Sequence, residues 1–416
     1  MNELTMRKLL LFMLFATNST MLFAQQKSAP YVILISFDGF RHDYVEKYNA
    51  PTFKSIYKKG AHAEAMVSSF PSKTMPNHYT IVTGLYPGHH GLVDNTFYDK
   101  ARDAMFTRKD TEKLSDPYYF GGVSLWELAR QQGMKSASYF WVGSELSVEA
   151  RQPDYFYKYN DTVPNIQRID QTFTWLKLPE SERPHIITLY FSFPDHEGHD
   201  VGPEAPETGK AVLRADSLLN MLLTGLEDIE LPVNVIVVSD HGMKELTEAK
   251  ETYIILPELI DIENPDVKIA NGGTQAHIYI SNPAKKDSIY NVLKAKEKEK
   301  NFKTYKKEEF PDRWNYKNDR VGDIMITAIP GFYFSSSTSF SPTMALGSKF
   351  GVHGYDPMIV TDMRGIFFAV GPNIKKGVEV LPFQNINVYP LVAKILGLKI
   401  PQIDGKFEVL EKVYKK

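Results

Sequence analysis

Three apolar, β-branched runs constrain this chain more than any other feature: YVILISF (31–37), HIITLYFSF (185–193) and VNVIVVS (233–239). Continuous apolar runs of this length fit strands buried on both faces of a parallel sheet, because half-exposed strands alternate instead. Each run hands over to a carboxylate: Asp38-Gly39 after the first, Pro194-Asp195 after the second and Asp240-His241-Gly242 after the third. Between them lie segments that suit crossover helices. Residues 122–133 open on a capping box, Ser124 to Glu127, and stop at Gly133, while 206–226 place Val212, Leu219, Leu222 and Leu226 on one face. Alternating strands and helices predict a three-layer αβα sandwich around a mostly parallel sheet. Ligands of such sheets gather outside the carboxyl ends of the strands, where all three aspartates fall.

From about residue 250 to 350 the pattern changes. AHIYI (276–280) alternates, a lysine- and glutamate-rich stretch follows at 294–309, and GDIMITAI (322–329) holds a short strand. The expectation is a small α+β insertion whose charge run is a solvated helix face. The sheet resumes at IFFAVG (366–371), and a closing helix covers about 386–396 with Gly397 as its stop. Residues 25–416 therefore read as a single domain carrying that insertion. Its 416-residue parent chain, 43 % hydrophobic, carries enough apolar residues for one large core.

The first 24 residues read as a signal peptide: Arg7 and Lys8, an apolar run, then cleavage expected after Ala24. The polar interruption ATNST argues against a membrane span there, which needs about 20 consecutive apolar residues. The chain has no cysteine, so neither a disulfide framework nor a lipid-modified cysteine is available, and an exported protein without disulfides suggests a bacterial periplasm. A formal net charge of −2 argues against a nucleic-acid scaffold that works by phosphate neutralisation.

Without thiols, a transition-metal site must use His, Asp, Glu and hydroxyl ligands. Asp195 and His199 stand four residues apart, a spacing that lets both reach one ion from a single helical turn. Asp240-His241 would expose two costly polar groups at a sheet edge unless something binds them. His353 sits in the glycine-bearing stretch KFGVHGYD, and Asp38 starts a similar turn. Thr74, in FPSKTMPNH (70–78), precedes Pro76 and the apolar-periodic Tyr79, Ile81 and Val82, which puts its oxygen at a helix N-terminus that favours negative charge. Six N/O ligands at strand ends plus one hydroxyl suit two zinc ions.

The ordered motifs FDGFR (37–41), FPSKTMPNHYTIVTGLYPGHHGLVDN (70–95), WVGSE (141–145), PDHEGH (194–199), SDHGM (239–243) and FGVHGYD (350–356) resemble the nucleotide pyrophosphatase/phosphodiesterase family of the alkaline phosphatase superfamily. The resemblance implies an alkaline phosphatase-like fold and two zinc ions per chain. One would be held by Asp195, His199 and His353, the other by Asp38, Asp240, His241 and the Thr74 oxygen. Thr74 would be the nucleophile of a phosphothreonine intermediate, and Asn95 the donor to a non-bridging phosphate oxygen. Met75, Trp141 and Tyr190 match positions that line the substrate pocket. His78, His89, His90, His196 and His277 match no ligand position and read as structural or exposed.

Two departures bear on base recognition. Met75 replaces an aromatic residue common after the threonine, and Val142 replaces a proline usual after the tryptophan. The expected activity is hydrolysis of phosphodiester or phosphoanhydride bonds in small molecules, with nucleotides releasing nucleoside monophosphates. The alternatives are diesters of lipid headgroups, or a phosphomonoesterase of the same superfamily, which more usually has serine and a third metal. A sulfatase would need Cys or Ser at the nucleophile position, and a non-catalytic binding protein should have lost ligands that are all present here.

Overall fold

The computed structural model describes residues 29–416; the expected signal peptide lies outside the described residues. An eight-stranded sheet forms from β1 (Tyr31–Phe37), β2 (Ala61–Ala63), β3 (Ser136–Tyr139), β4 (Tyr155–Tyr157), β5 (Ile186–Phe191), β6 (Val233–Val238), β7 (Phe367–Val370) and β8 (Val378–Val380). Its spatial order is β8-β2-β7-β6-β1-β5-β3-β4. From β6 to β4 all neighbours are parallel, and only β7 runs against the strands beside it.

Eight α-helices of seven residues or more occur among the described residues: α1 (Pro51–Lys59), α2 (Thr74–Thr83), α3 (Leu125–Gln131), α4 (Ile166–Leu176), α5 (Asp195–Val201), α6 (Pro206–Leu226), α7 (Lys286–Lys300) and α8 (Val388–Leu396). The alternation of side chains along β1 sorts them into layers. Val32 and Leu34 pack in one cluster with Tyr79 and Ile81 of α2, Trp126 of α3 and Leu391 of α8. Ile33 and Ile35 pack in the other with Phe53 of α1, Ile169 of α4 and Val212 and Leu219 of α6. Every residue of β1 is buried, as a strand covered on both faces requires. At about 1.5–3 kcal/mol per buried aliphatic side chain, these two clusters are the main source of stability.

Helix α6 spans the predicted 206–226, while α3 is shorter than the 122–133 expected, starting where Ser124 caps the Glu127 N–H. Helix α8 begins at Val388 because Asn385–Asn387 forms a 3₁₀ turn, and Gly397 ends it with φ +72°.

A second sheet carries four antiparallel strands in the order Val267–Asn271, Gln275–Ile280, Ile324–Ala328, Phe302–Lys306. The charge run expected to be one helix face is split. Helix α7 stops at Asn301, whose φ of +58° is left-handed, and Phe302–Lys306 becomes a strand because Phe302 and Thr304 have a buried face to fill. The alternation in AHIYI suggested a half-exposed strand, yet Gln275–Ile280 is buried throughout. Ala276, Ile278 and Ile280 pack with Leu293 of α7, while on the opposite face His277 contacts Asp94 and Tyr279 contacts Tyr98. This second sheet is therefore sandwiched between its own helix and the large sheet's domain.

Candidate active site and metal centre

The register of β5, β1 and β6 sets three carboxylates side by side. Phe37 lies opposite Phe191, and Ser36 lies opposite Val238, so the strands end level. Asp38 follows β1, Asp240 lies just beyond β6, and Asp195 opens α5 after the link 192–194 from the end of β5. The Asp195 N–H donates to the Asp38 carbonyl at 3.0 Å, which ties two of the turns together. Gly39 makes that approach possible: its φ is +67°, and a Cβ there would stand 2.8 Å from the Asp195 Cα.

Each carboxylate has one oxygen left without a hydrogen-bond partner: Asp38 Oδ1, Asp195 Oδ1 and Asp240 Oδ2 are buried and unsatisfied. The remaining oxygens of the two deepest acids are held, Asp38 Oδ2 by the Tyr190 hydroxyl at 2.6 Å and Asp240 Oδ1 by the Gly39 N–H at 3.1 Å. The imidazoles are prepared in the same way. Nδ1 of His199 donates to Gly351 O at 2.7 Å, Nδ1 of His353 to Ser72 O at 2.8 Å, and Nδ1 of His241 to Gly242 O at 2.8 Å. That fixes the tautomer and leaves Nε2 of each ring facing the carboxylates.

The Nε2 atoms sit close to those oxygens. His199 and His353 lie 3.4 and 3.8 Å from Asp195 Oδ1, and His241 lies 2.9 Å from Asp240 Oδ2 and 3.5 Å from Asp38 Oδ1. The Thr74 hydroxyl, on the first residue of α2, is 3.3 Å from His241 Nε2. Buried carboxylates this close repel one another. Burial, with Asp240 and Asp195 nearby, pushes the Asp38 carboxyl well above its usual range. Burial also pushes Asp240 up, but His241 and His78 outweigh it and hold Asp240 down to about 2. Burial, with His241 and Lys73 adding to it, drives His353 well below the usual histidine range. Buried carboxylate oxygens without hydrogen-bond partners and three imidazole Nε2 atoms converging on one place form an N/O donor set that suits a divalent metal ion.

By distance alone, one cluster joins Asp195, His241 and His353, and another joins Asp38, His78 and Asp240. His78 is no ligand, because both of its nitrogens are committed: Nδ1 donates to Thr74 O at 3.0 Å and Nε2 accepts from the Ser36 hydroxyl at 2.8 Å. It is a buried strut between β1 and α2, and Trp141 braces it through an indole N–H that donates to His78 O at 3.0 Å. His90 and His277 are buried, whereas His89 and His196 are exposed.

Asn95 accepts from the Met75 N–H at 2.8 Å through Oδ1, which leaves its amide nitrogen free to donate. Beside Thr74 opens a slot of about 280 Å³ whose walls include Met75, Trp141, Val142 and Tyr190. Sequence reasoning did not find several of its other walls, among them Phe140, Glu145, Tyr159 and Arg108. Phe140 is held at φ +71°, a left-handed conformation rare for a bulky residue, with its ring packed against Tyr159. Lys73 was also missed, although it directly precedes Thr74. It is buried, and its ammonium donates to Gly272 O and His353 O, both at 2.7 Å. Burial pulls its pKa down to about 8.

Comparison with known proteins bears on this geometry. A family model described as type I phosphodiesterase / nucleotide pyrophosphatase matches residues 32–356. Human ectonucleotide pyrophosphatase/phosphodiesterase family member 1 is 35 % identical over 381 residues, covering 89 % of this chain and 40 % of that protein. Venom phosphodiesterase 2 of Crotalus adamanteus is 34 % identical over 393 residues, covering 92 % of this chain and 47 % of that protein. The chain thus spans less than half the length of these curated relatives. Among solved structures, murine ectonucleotide pyrophosphatase/phosphodiesterase 5 superposes with a TM-score of 0.84 at 31 % identity, covering 92 % of this chain and all of that one. An inactive threonine-to-alanine form of that enzyme in complex with AMP gives the same TM-score.

Proposed function

The chain belongs to the type I phosphodiesterase / nucleotide pyrophosphatase family, and from that premise we propose that it is a zinc-dependent hydrolase of phosphodiester and phosphoanhydride bonds that works through a phosphothreonine. The observation that carries the reading is the convergence of three unsatisfied carboxylate oxygens, three Nε2 atoms and the Thr74 hydroxyl at one sheet edge. Asp195, His199 and His353 would hold one zinc ion, and Asp38, Asp240, His241 and the Thr74 oxygen the other. When bound, zinc lowers the pKa of a coordinated hydroxyl and neutralises charge on the departing and attacking oxygens.

The chain's own residues supply the rest. Thr74 Oγ gives up its proton and attacks phosphorus, and the bond to the leaving oxygen breaks with its electron pair departing on that oxygen, which takes up a proton. Water then attacks the phosphothreonine, the P–Oγ bond breaks, and Thr74 regains its proton. Asn95 donates from its amide nitrogen to a non-bridging oxygen, where charge sits in the transition state. The slot beside Thr74 houses the substituent that stays on phosphorus. Its aromatic walls suit a nucleoside, and the murine relative in complex with AMP supports that class. Among the described residues no helix is long and apolar enough to cross a membrane; export, to a bacterial periplasm, is part of the proposal.

The test is a comparison of rates on a nucleoside 5′-nitrophenyl diester, a nitrophenyl monoester and a lipid headgroup diester, with zinc content measured on the same preparation. The nucleotide diester should be fastest and zinc close to two per chain. Faster monoester hydrolysis, or full activity without transition metal, would overturn the reading.

A further inference from the structure

Arg108 borders two cavities at once. One is the aromatic slot; the other, of about 210 Å³, lies on the far flank of the site against Lys73, Asn95, His199, His353 and Tyr333. The backbone at Arg108 is fixed, since its N–H donates to Asn95 O at 3.1 Å just beyond the strand Ala104–Thr107. Its guanidinium, in contrast, is exposed and makes no hydrogen bond or ion pair among the described residues. Every other described arginine donates at least one side-chain hydrogen bond.

The second cavity already holds the Lys73 ammonium, which has used two of its three donors on carbonyls. The acid that borders it, Asp94, is occupied elsewhere: Oδ1 accepts from the Asn95 N–H and Oδ2 from the Gln275 amide, both at 2.6 Å. Two basic side chains therefore border one polar cavity against a single lining carboxylate, and the charge of that Asp94 acts on Lys73, which leaves Arg108 without an acid partner. The slot on the other side of Thr74 is mainly apolar, so the two flanks suit the two halves of a substrate differently.

We propose that the second cavity receives the departing half of the substrate and that Arg108 is specificity-determining for leaving groups that carry charge of their own, an oligophosphate such as the pyrophosphate of a nucleoside triphosphate. This rests on the phosphodiesterase reading. As the P–O bond breaks, its electron pair stays with the leaving oligophosphate, whose charge increases. A planar guanidinium can meet two of its oxygens at once, and that contact strengthens as the charge develops.

The experiment compares two substrates with the same nucleoside, thymidine 5′-triphosphate and thymidine 5′-(4-nitrophenyl) phosphate, in wild type, Arg108→Gln and Arg108→Lys. Losing a charge-assisted contact should lower kcat/KM of Arg108→Gln on the triphosphate by about thirtyfold, at least tenfold more than on the ester, with partial recovery in Arg108→Lys. Inorganic pyrophosphate should inhibit ester hydrolysis, and about tenfold less strongly in Arg108→Gln. Parallel losses on the two substrates, or unchanged pyrophosphate inhibition, would overturn the inference. A wild type that cleaves the ester but not the triphosphate would overturn it while sparing the phosphodiesterase reading; a wild type that cleaves neither takes both down.

Discussion

Thr74 combines two properties that its neighbours lack: it opens a ten-residue helix, and its hydroxyl lies 3.3 Å from a histidine whose other nitrogen is already occupied. Thr74→Ala should keep its fold and its six remaining ligands yet lose nearly all turnover, while Thr74→Ser should retain part of it. Mass spectrometry of acid-quenched wild type should find phosphate on the Thr74 peptide; full activity in the alanine form would end the covalent scheme. Tyr190 has a double role that its place in the motif did not reveal. Its ring lines the slot, and its hydroxyl holds Asp38 at 2.6 Å. A hydrogen bond to a charged group contributes about 1.5–3 kcal/mol, so Tyr190→Phe should lower catalytic efficiency roughly tenfold or more on nucleotide and methyl diesters alike. Tyr190→Ala should add a further loss on the nucleotide ester alone. A phenylalanine form as active as wild type would show that the Asp38 contact does not matter to catalysis.

At the level of elements, the site depends on three parallel strands ending level and on turns that let their aspartates approach. Gly39→Ala tests this, because the added methyl meets the Asp195 backbone at 2.8 Å in a conformation that costs L-residues about 1–2 kcal/mol. The expected result is a displaced Asp195 and reduced metal in the site that Asp195 shares with His199 and His353. Elemental analysis decides it; full occupancy in the alanine form would contradict the packing argument. His353 enters from the strand Lys349–Val352, apart from the central sheet. There Gly351 passes so close that a Cβ would stand 2.4 Å from Gly198 O on α5. His353→Ala should weaken the Asp195/His199 site more than the Asp240/His241 site, a difference that sequential chelator titration would resolve.

For the molecule as a whole, buried neutral histidines link stability to pH. His90 is fully enclosed: its Nε2 lies 3.0 Å from the Thr80 hydroxyl, and its Nδ1 accepts from the Leu92 N–H. Burial drives its pKa down to about 3. The unfolded chain, with a histidine pKa near about 6.5, binds that proton first, so unfolding is favoured as pH falls between these values. This one residue should contribute a stability slope of about 1.4 kcal/mol per pH unit in that window, present above it and lost below it. Urea unfolding of wild type and His90→Gln between pH 7 and pH 4 should give a flatter dependence for the variant. Identical slopes would mean that His90 titrates normally.

What the sequence determined is local in origin. Uninterrupted β-branched runs can only be comfortable where both faces are covered, so β1, β5 and β6 were legible, as was α6 from its apolar stripe. The seven side chains read as candidate ligands, Thr74 included, follow those runs or carry short motifs, and they lie together at one sheet edge. Tertiary structure alone decided what depends on residues far apart in the chain. The hydroxyl of Tyr190 reaches back to Asp38 across the β1–β5 pair, Asp94 is met by Gln275 from the second sheet, and both nitrogens of His78 are spent between β1 and α2. Arg108 joins a slot to a cavity that Tyr333 and His353, more than two hundred residues further along, help to build. Periodicity and propensity describe a residue's own neighbourhood, whereas these contacts exist only once the sheet has set the register and brought its loops to the same edge.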